Sequence, residues 1–185
     1  MRISVTLLQY EHGILRQALD VLAEVSRNDR LDYRSEDVKE LIRFLTEFID
    51  EFHHAKEEKC FYPKVIKEFP NLKRDVEEVF EEHGEAEILL RDTSAALERG
   101  SWDELRKNTS QLVRHMVAHV EKEEDHIFPE VDDWLPLEID NEINESYNEF
   151  VFRFGGDDYY RKAETFADEI QDRLLGAGFF SRGIL

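Results

Sequence analysis

His53 and Glu57, and again His119 and Glu123, stand four residues apart. On a helix that spacing stacks an imidazole over a carboxylate on one face, a pairing suited to holding a metal ion. Helical phase separates these residues from their neighbours. His53 follows Ile49 by four and Glu57 follows His53 by four, so both continue an apolar stripe; His54 and Glu58 fall in line with Glu47, Asp50 and Glu51 and are assigned to the polar face. His119 and Glu123 lie in line with Leu112, Met116 and Ile127, His83 with Val76, Val79, Phe80 and Leu90, and His12 between Leu8 and Leu15. The pattern predicts one inward histidine on each of four helices and two inward glutamates. With a rise of about 1.5 Å per residue, His12 matches His53 in height and His83 matches His119, so the six groups fall in one layer.

A lone histidine on an apolar face is ordinarily a satisfied core residue, but glutamate is almost never buried without a partner. Two buried carboxylates at one level, each four residues after an inward histidine, ask for a strong positive charge between them. Nitrogen and carboxylate donors without thiolate suit iron, manganese or zinc, and two carboxylates able to bridge favour a pair of iron ions. The second ring nitrogen of each ligating histidine needs a carbonyl or carboxylate, a place open to Glu11 or Glu82. His115, one turn before His119, is a candidate seventh ligand or a core residue, and His126 a rim residue. Glu-x-x-His, the spacing of ferritin-like carboxylate proteins, occurs at Glu51/His54 and Glu123/His126, but the first pair falls on the polar face and the two are not equivalent. Cys60, three residues after Glu57, is read as a small packing residue.

The elements that must position these groups are helices, since apolar residues recur at three- and four-residue spacing and strict alternation is nowhere sustained. Four main helices are expected: about 6–27; from an N-cap at Ser35 to near Phe69 and Pro70; about 72–99, stopped by Gly100; and from a capping box at Ser101 and Glu104 toward Pro129. A polar connection covers 28–34. Glu11-His12-Gly13 returns as Glu82-His83-Gly84, and the string HHAKEEKCFYP (53–63) returns as HVEKEEDHIFP (119–129), so two helical hairpins are copies of one unit. The fold class is therefore all-α, an antiparallel up-down-up-down four-helix bundle over 1–133 with an additional C-terminal helical segment, 134–185, packed on it. In that segment Val131–Phe154 and Asp157–Leu175 read as weaker helices around Gly155-Gly156, ahead of an aromatic tail.

Composition removes several classes of function. The chain carries 24 Lys and Arg against 43 Asp and Glu, a net charge of −19, which excludes nucleic acid and anionic membranes as partners. Its single cysteine excludes an intrachain disulfide or a thiolate cluster. No apolar run is long enough to span a bilayer, and a cytoplasmic location is expected. An acidic helical interaction module whose histidines merely pack is the non-catalytic alternative.

From about Leu7 to Pro129 these motifs resemble the hemerythrin-like family, the HHE cation-binding domain. The resemblance rests on the two H-x-x-x-E-E strings ending in Pro63 and Pro129 and on the two Glu-His-Gly histidines. It implies a four-helix bundle around two oxo- or hydroxo-bridged iron ions, with His12, His53, His83 and His119 as terminal ligands and Glu57 and Glu123 as bridges. Oxygen-carrying members have a second histidine one turn after the third-helix ligand; here that position is Glu87. Glu87 also continues the inward stripe, four residues after His83, and is expected as a ligand, giving a carboxylate-rich centre suited less to carrying oxygen than to handling or sensing oxygen, peroxide or nitric oxide. Zinc or manganese without redox chemistry is the other expectation for the same donors.

Overall fold

The computed structural model describes residues 1–27 and 35–179 and is all-helical across them. The expected connection over 28–34 and the end of the aromatic tail lie outside the described residues.

Helix α1 (Ile3–Arg27) buries Leu8, Leu15, Leu19 and Leu22 on the stripe expected of it. Ser35 caps α2 (Glu36–Thr46), its hydroxyl accepting from the Val38 N–H at 3.3 Å, with Glu36 and Asp37 in the first turn where the helix dipole favours acids. The helical path then leaves α geometry. A π-helical stretch runs over Glu47–His54 and a second over Glu57–Phe61, before α3 (Tyr62–Glu68). Helix α4 (Lys73–Arg99) stops at Gly100, which takes the left-handed conformation (φ 66°) that the C-terminal cap requires. Helix α5 (Trp102–Lys122) follows from Ser101, whose side chain makes no capping bond to the backbone; Glu104, its expected partner, accepts from Arg99 at 2.9 Å and is held below the usual carboxylate range by Arg99 and then Ser101. A third π stretch, Glu123–Ile127, leads into α6 (Phe128–Trp134).

Two of the π stretches have a local cause. Pro63 and Pro129 stand in the first turns of α3 and α6. In a continuous α-helix each ring would clash with the carbonyl four residues back, and the wider turn relieves that contact. The repeat thus reproduces a distortion as well as a motif.

The helix expected over Val131–Phe154 is divided. Pro136 forces Leu135 out of helical conformation (ψ 127°), so α6 ends at Trp134 and α7 (Leu137–Phe152) begins afresh. Gly155 and Gly156, at φ 107° and 71°, then turn the chain into α8 (Asp158–Leu175). Helix α1 lies against α2, α5, α7 and α8, while α4 packs on α5 and α2. Buried Asp140 in α7 fastens that helix to the N-terminus, accepting from the Ser4 N–H at 3.1 Å and its hydroxyl at 2.6 Å. No helix among the described residues is long and apolar enough to cross a membrane.

Candidate metal centre

His12 from α1, His53 and Glu57 from the π-containing helix, His83 from α4, His119 from α5 and Glu123 from the π turn after it meet in the interior, none more than 4% exposed. His12 Nε2 lies 3.1 Å from His53 Nε2 and 3.2 Å from Glu123 Oε2. Glu57 turns Oε1 toward His53 Nε2 (3.6 Å) and Oε2 toward His83 Nε2 (3.4 Å), while His119 Nε2 is 3.6 Å from Glu123 Oε2. Donors around an ion with bonds of about 2.1 Å sit about 3 Å apart, so these spacings suit cations between them. Two groups emerge, one of His12, His53, Glu57 and Glu123 and one of His83, His119, Glu57 and Glu123, sharing both carboxylates.

The other ring nitrogen of each histidine is held by a second carboxylate. His12 Nδ1 lies 2.8 Å from Glu124, His53 Nδ1 2.8 Å from Glu11, His83 Nδ1 2.8 Å from Glu58 and His119 Nδ1 2.9 Å from Glu82. An ionised carboxylate only accepts, so each Nδ1 carries a proton and each Nε2 is the nitrogen left to face an ion in the interior. The pairs obey the internal repeat: Glu11 and Glu82 each precede a ligand-type histidine, and Glu58 and Glu124 each follow an inward glutamate. Glu11 and Glu82 thus stand where they were expected, against His53 and His119.

Two features were misplaced by the sequence reading. His54, assigned to the polar face, is 2% exposed and belongs with His83 and His119 in a third donor group. Its ring stacks on His83 at 3.8 Å between centroids, and neither of its nitrogens has a hydrogen-bond partner. The phase test assumed α geometry through Glu47–His54, where the chain is π-helical; adjacent residues there subtend less than the ~100° of an α-helix, so His53 and His54 both face in. Glu87 goes the other way. It is exposed, joins no donor group and lies near Asp50, whose acidity it weakens after burial has already done so. Helix α4 keeps regular α geometry and turns Ala86 and Leu90 inward in its place. His115 is also outside the donor groups, its Nε2 donating to the Glu82 carbonyl at 2.8 Å, and His126 is exposed, as is Glu51. The Glu-x-x-His reading therefore fails on both of its pairs.

The electrostatics are those of a cluster arranged for positive charge. Burial opposes the charged forms of His12 and His83, but the negative carboxylates beside them, Glu123 and Glu124 at the first and Glu57 and Glu58 at the second, overcome it and lift each to about 9. Without an ion, protons take its place. His54 is pushed the opposite way, well below the usual histidine range, by burial and then by the neighbouring His83 and His119. It is held as a neutral imidazole, the form that ligates metal. Tyr62, fully buried, donates to Glu123 Oε1 and so leaves Oε2 to face His12 and His119.

The model of the hemerythrin HHE cation-binding domain matches residues 4–132. No curated protein and no solved structure among those compared matches the chain. The matched segment spans the six expected donors, His54 and all four outer glutamates, and ends where α6 gives way to the C-terminal helices. On the strength of that match this chain belongs to the hemerythrin HHE cation-binding domain family.

Proposed function

We propose that the chain holds two iron ions between its histidines and glutamates and acts through them on dioxygen, peroxide or nitric oxide. The observation that carries this reading is a set of buried, inward polar atoms without hydrogen-bond partners: both oxygens of Glu57, Glu123 Oε2, Nε2 of His83 and His119, and both nitrogens of His54. Unpaired buried acceptors are costly, and a cation shared among them removes the cost. The up-down-up-down order of the four donor-bearing helices is part of the same proposal.

Within it, His12 and His53 would hold one ion and His83, His119 and His54 the other, with Glu57 and Glu123 serving both. Five imidazoles and two carboxylates make a nitrogen-rich set, which suits reversible oxygen binding as well as sensing and peroxide or nitric oxide chemistry. When bound, a pair of irons supplies one- or two-electron exchange with such ligands. The chain's own contributions are orientation of each imidazole by its outer glutamate, a proton held on the Tyr62 hydroxyl beside Glu123, and exclusion of water by Phe61 and Phe128, the latter stacked on His12 at 5.5 Å.

Metal analysis of protein produced with added iron tests the proposal. About two equivalents of iron are expected, with an absorption band that appears under air or azide and not under nitrogen. Zinc or manganese in place of iron would reduce the centre to one without redox chemistry, and less than one equivalent of any transition metal would leave only an acidic helical module. The role of His54 has its own test. In His54→Leu one ion is expected to be retained and the other to bind about 10- to 100-fold more weakly, by titration against a chelator. Unchanged affinity for both ions would remove His54 from the donor set.

A further inference from the structure

Phe44, Phe48, Phe52, Lys56 and Cys60 fall four residues apart, and this second stripe carries the C-terminal helices. Phe44 lies 4.5 Å from Phe166 and Phe52 4.3 Å from Tyr159, ring centre to ring centre, and Cys60 Sγ is 3.7 Å from the Ser146 carbonyl. A lysine in the fourth place of an apolar ladder is out of type. Lys56 is nonetheless fully buried, its ammonium 4.5 Å from the ring centre of Tyr147 and 5.7 Å from that of Tyr160. Burying an ammonium is costly unless it is paired, and Lys56 is paired with Glu11 Oε1. Tyr160 donates to the same oxygen at 2.9 Å, while the other oxygen of Glu11 accepts from His53 Nδ1 at 2.8 Å.

The internal repeat supplies a control. Lys122, Glu82 and His119 occupy the places of Lys56, Glu11 and His53. There the lysine is 23% exposed and its carboxylate 26%, and Lys122 divides itself between Glu82 at 2.9 Å and Glu78 at 3.0 Å. One outer carboxylate is thus clamped in the dry interior and its counterpart is held at the surface.

We propose that Lys56 and Tyr160 are positioning residues of the metal centre: they clamp Glu11 against His53, so that the C-terminal helices, beyond the family-matched segment 4–132, set the donor strength of the His12/His53 end alone. The inference rests on reading the inward histidines and glutamates as metal ligands. A carboxylate locked in the plane of an imidazole N–H fixes the ring and raises its basicity, and one free to rotate does neither. Tyr160 reaches Glu11 from α8, so the clamp exists only while that helix is seated on α1. The effect is local by construction, since Glu11 contacts His53 and no other ligand-type histidine among the described bonds.

The test uses full-length chain loaded with cobalt(II), whose unpaired electrons move the Nδ1 proton of each ligating histidine to its own shifted, solvent-exchangeable resonance. Tyr160→Phe is expected to keep both ions, to displace one such resonance and speed its exchange with water, and to accelerate release of one of the two ions to a chelator by about three- to tenfold. The displaced resonance should be the one that Glu11→Gln also moves. Lys56→Met should act on that same resonance, and Lys122→Met on a different one. If Tyr160→Phe and Lys56→Met leave every resonance and both release rates unchanged, or shift all resonances together with a fall in melting temperature, the helices merely pack and the inference is overturned. Wild-type chain that takes up no cobalt would instead overturn the reading of the donors on which it rests.

Discussion

Glu57→Ala will purify with less than about a tenth of the wild-type iron while remaining helical, because among the described residues no other offers a separate oxygen to each half of the donor cluster. Its Oε1 faces His53 and its Oε2 faces His83, and both are buried without a hydrogen-bond partner. Truncation to a methyl group removes one donor from each proposed ion and half of the inward negative charge that offsets them. Losing a single outer carboxylate is a weaker insult. Glu58→Ala frees only the Nδ1 side of His83 and should cost about 10- to 100-fold in affinity at one ion. Metal content by elemental analysis, with circular dichroism to certify the fold, orders the two variants. Two tightly held ions in Glu57→Ala would sink its bridging role. Glu123→Ala should resemble Glu57→Ala with a further loss, since the Tyr62 hydroxyl would be buried without its acceptor.

Much of this arrangement was legible in residue spacing. His12, His53, Glu57, His83, His119 and Glu123 come together as the apolar stripes require, because helical phase over short, regular stretches is a rigid constraint. The failure at His54 has one physical source. Phase counts in steps of 3.6 residues, and the π stretch over Glu47–His54 breaks the count just before the residue it was used to exclude. A sign of the break was present: Phe44, Phe48 and Phe52 form an apolar row beside the row of Leu41, Leu45 and Ile49, too wide an arc for a helix with one wet face. The second row is buried by α7 and α8, whose own weak periodicity gave no hint of what they cover. Glu87 failed differently. Resemblance and its place four residues after His83 both put it in the centre, whereas Ala86 and Leu90 hold the inward positions of α4 and leave it exposed.

The repeat makes the asymmetry of the centre interpretable. Outer glutamates, inward glutamates and four histidines follow the internal repeat of the sequence, so departures from it mark where the two copies differ. His54 stands where the other copy has Val120, Tyr62 where it has Phe128, and buried Lys56 where it has half-exposed Lys122. The first adds an imidazole to the His83/His119 end, the second puts a hydroxyl on one carboxylate, and the third stiffens the support of His53. All three lie on the helix that carries the π stretches and is covered by the C-terminal helices. A duplicated scaffold therefore holds two chemically distinct ends.

Stripped of metal, the chain should lose stability as pH rises from about 6.5 through 9, and loaded chain should not. His12 and His83 are lifted to about 9 by their carboxylates, against an ordinary value of 6.5. Below 6.5 both states carry these protons and their contribution is complete; between 6.5 and 9 the unfolded chain sheds them first; above 9 the contribution is gone. On the acid side, hydrogen bonds from His119 to Glu82 and from His12 to Glu124 hold those carboxyls down to about 2. Their contribution is present above about 4.5 and is lost as pH falls through 2. His54, held neutral in the fold, costs stability as pH falls below 6.5, so metal-free chain is most stable near pH 6.5, with a melting temperature on the order of ten degrees lower at pH 9.5 than there. Metal reverses the upper limb, since ions compete with these same protons and bind more tightly as pH rises toward 9. Melting curves with and without chelator across that range should diverge steadily, and a metal-free transition that stays level from pH 6.5 to 9 would show that His12 and His83 do not carry the cluster's protons.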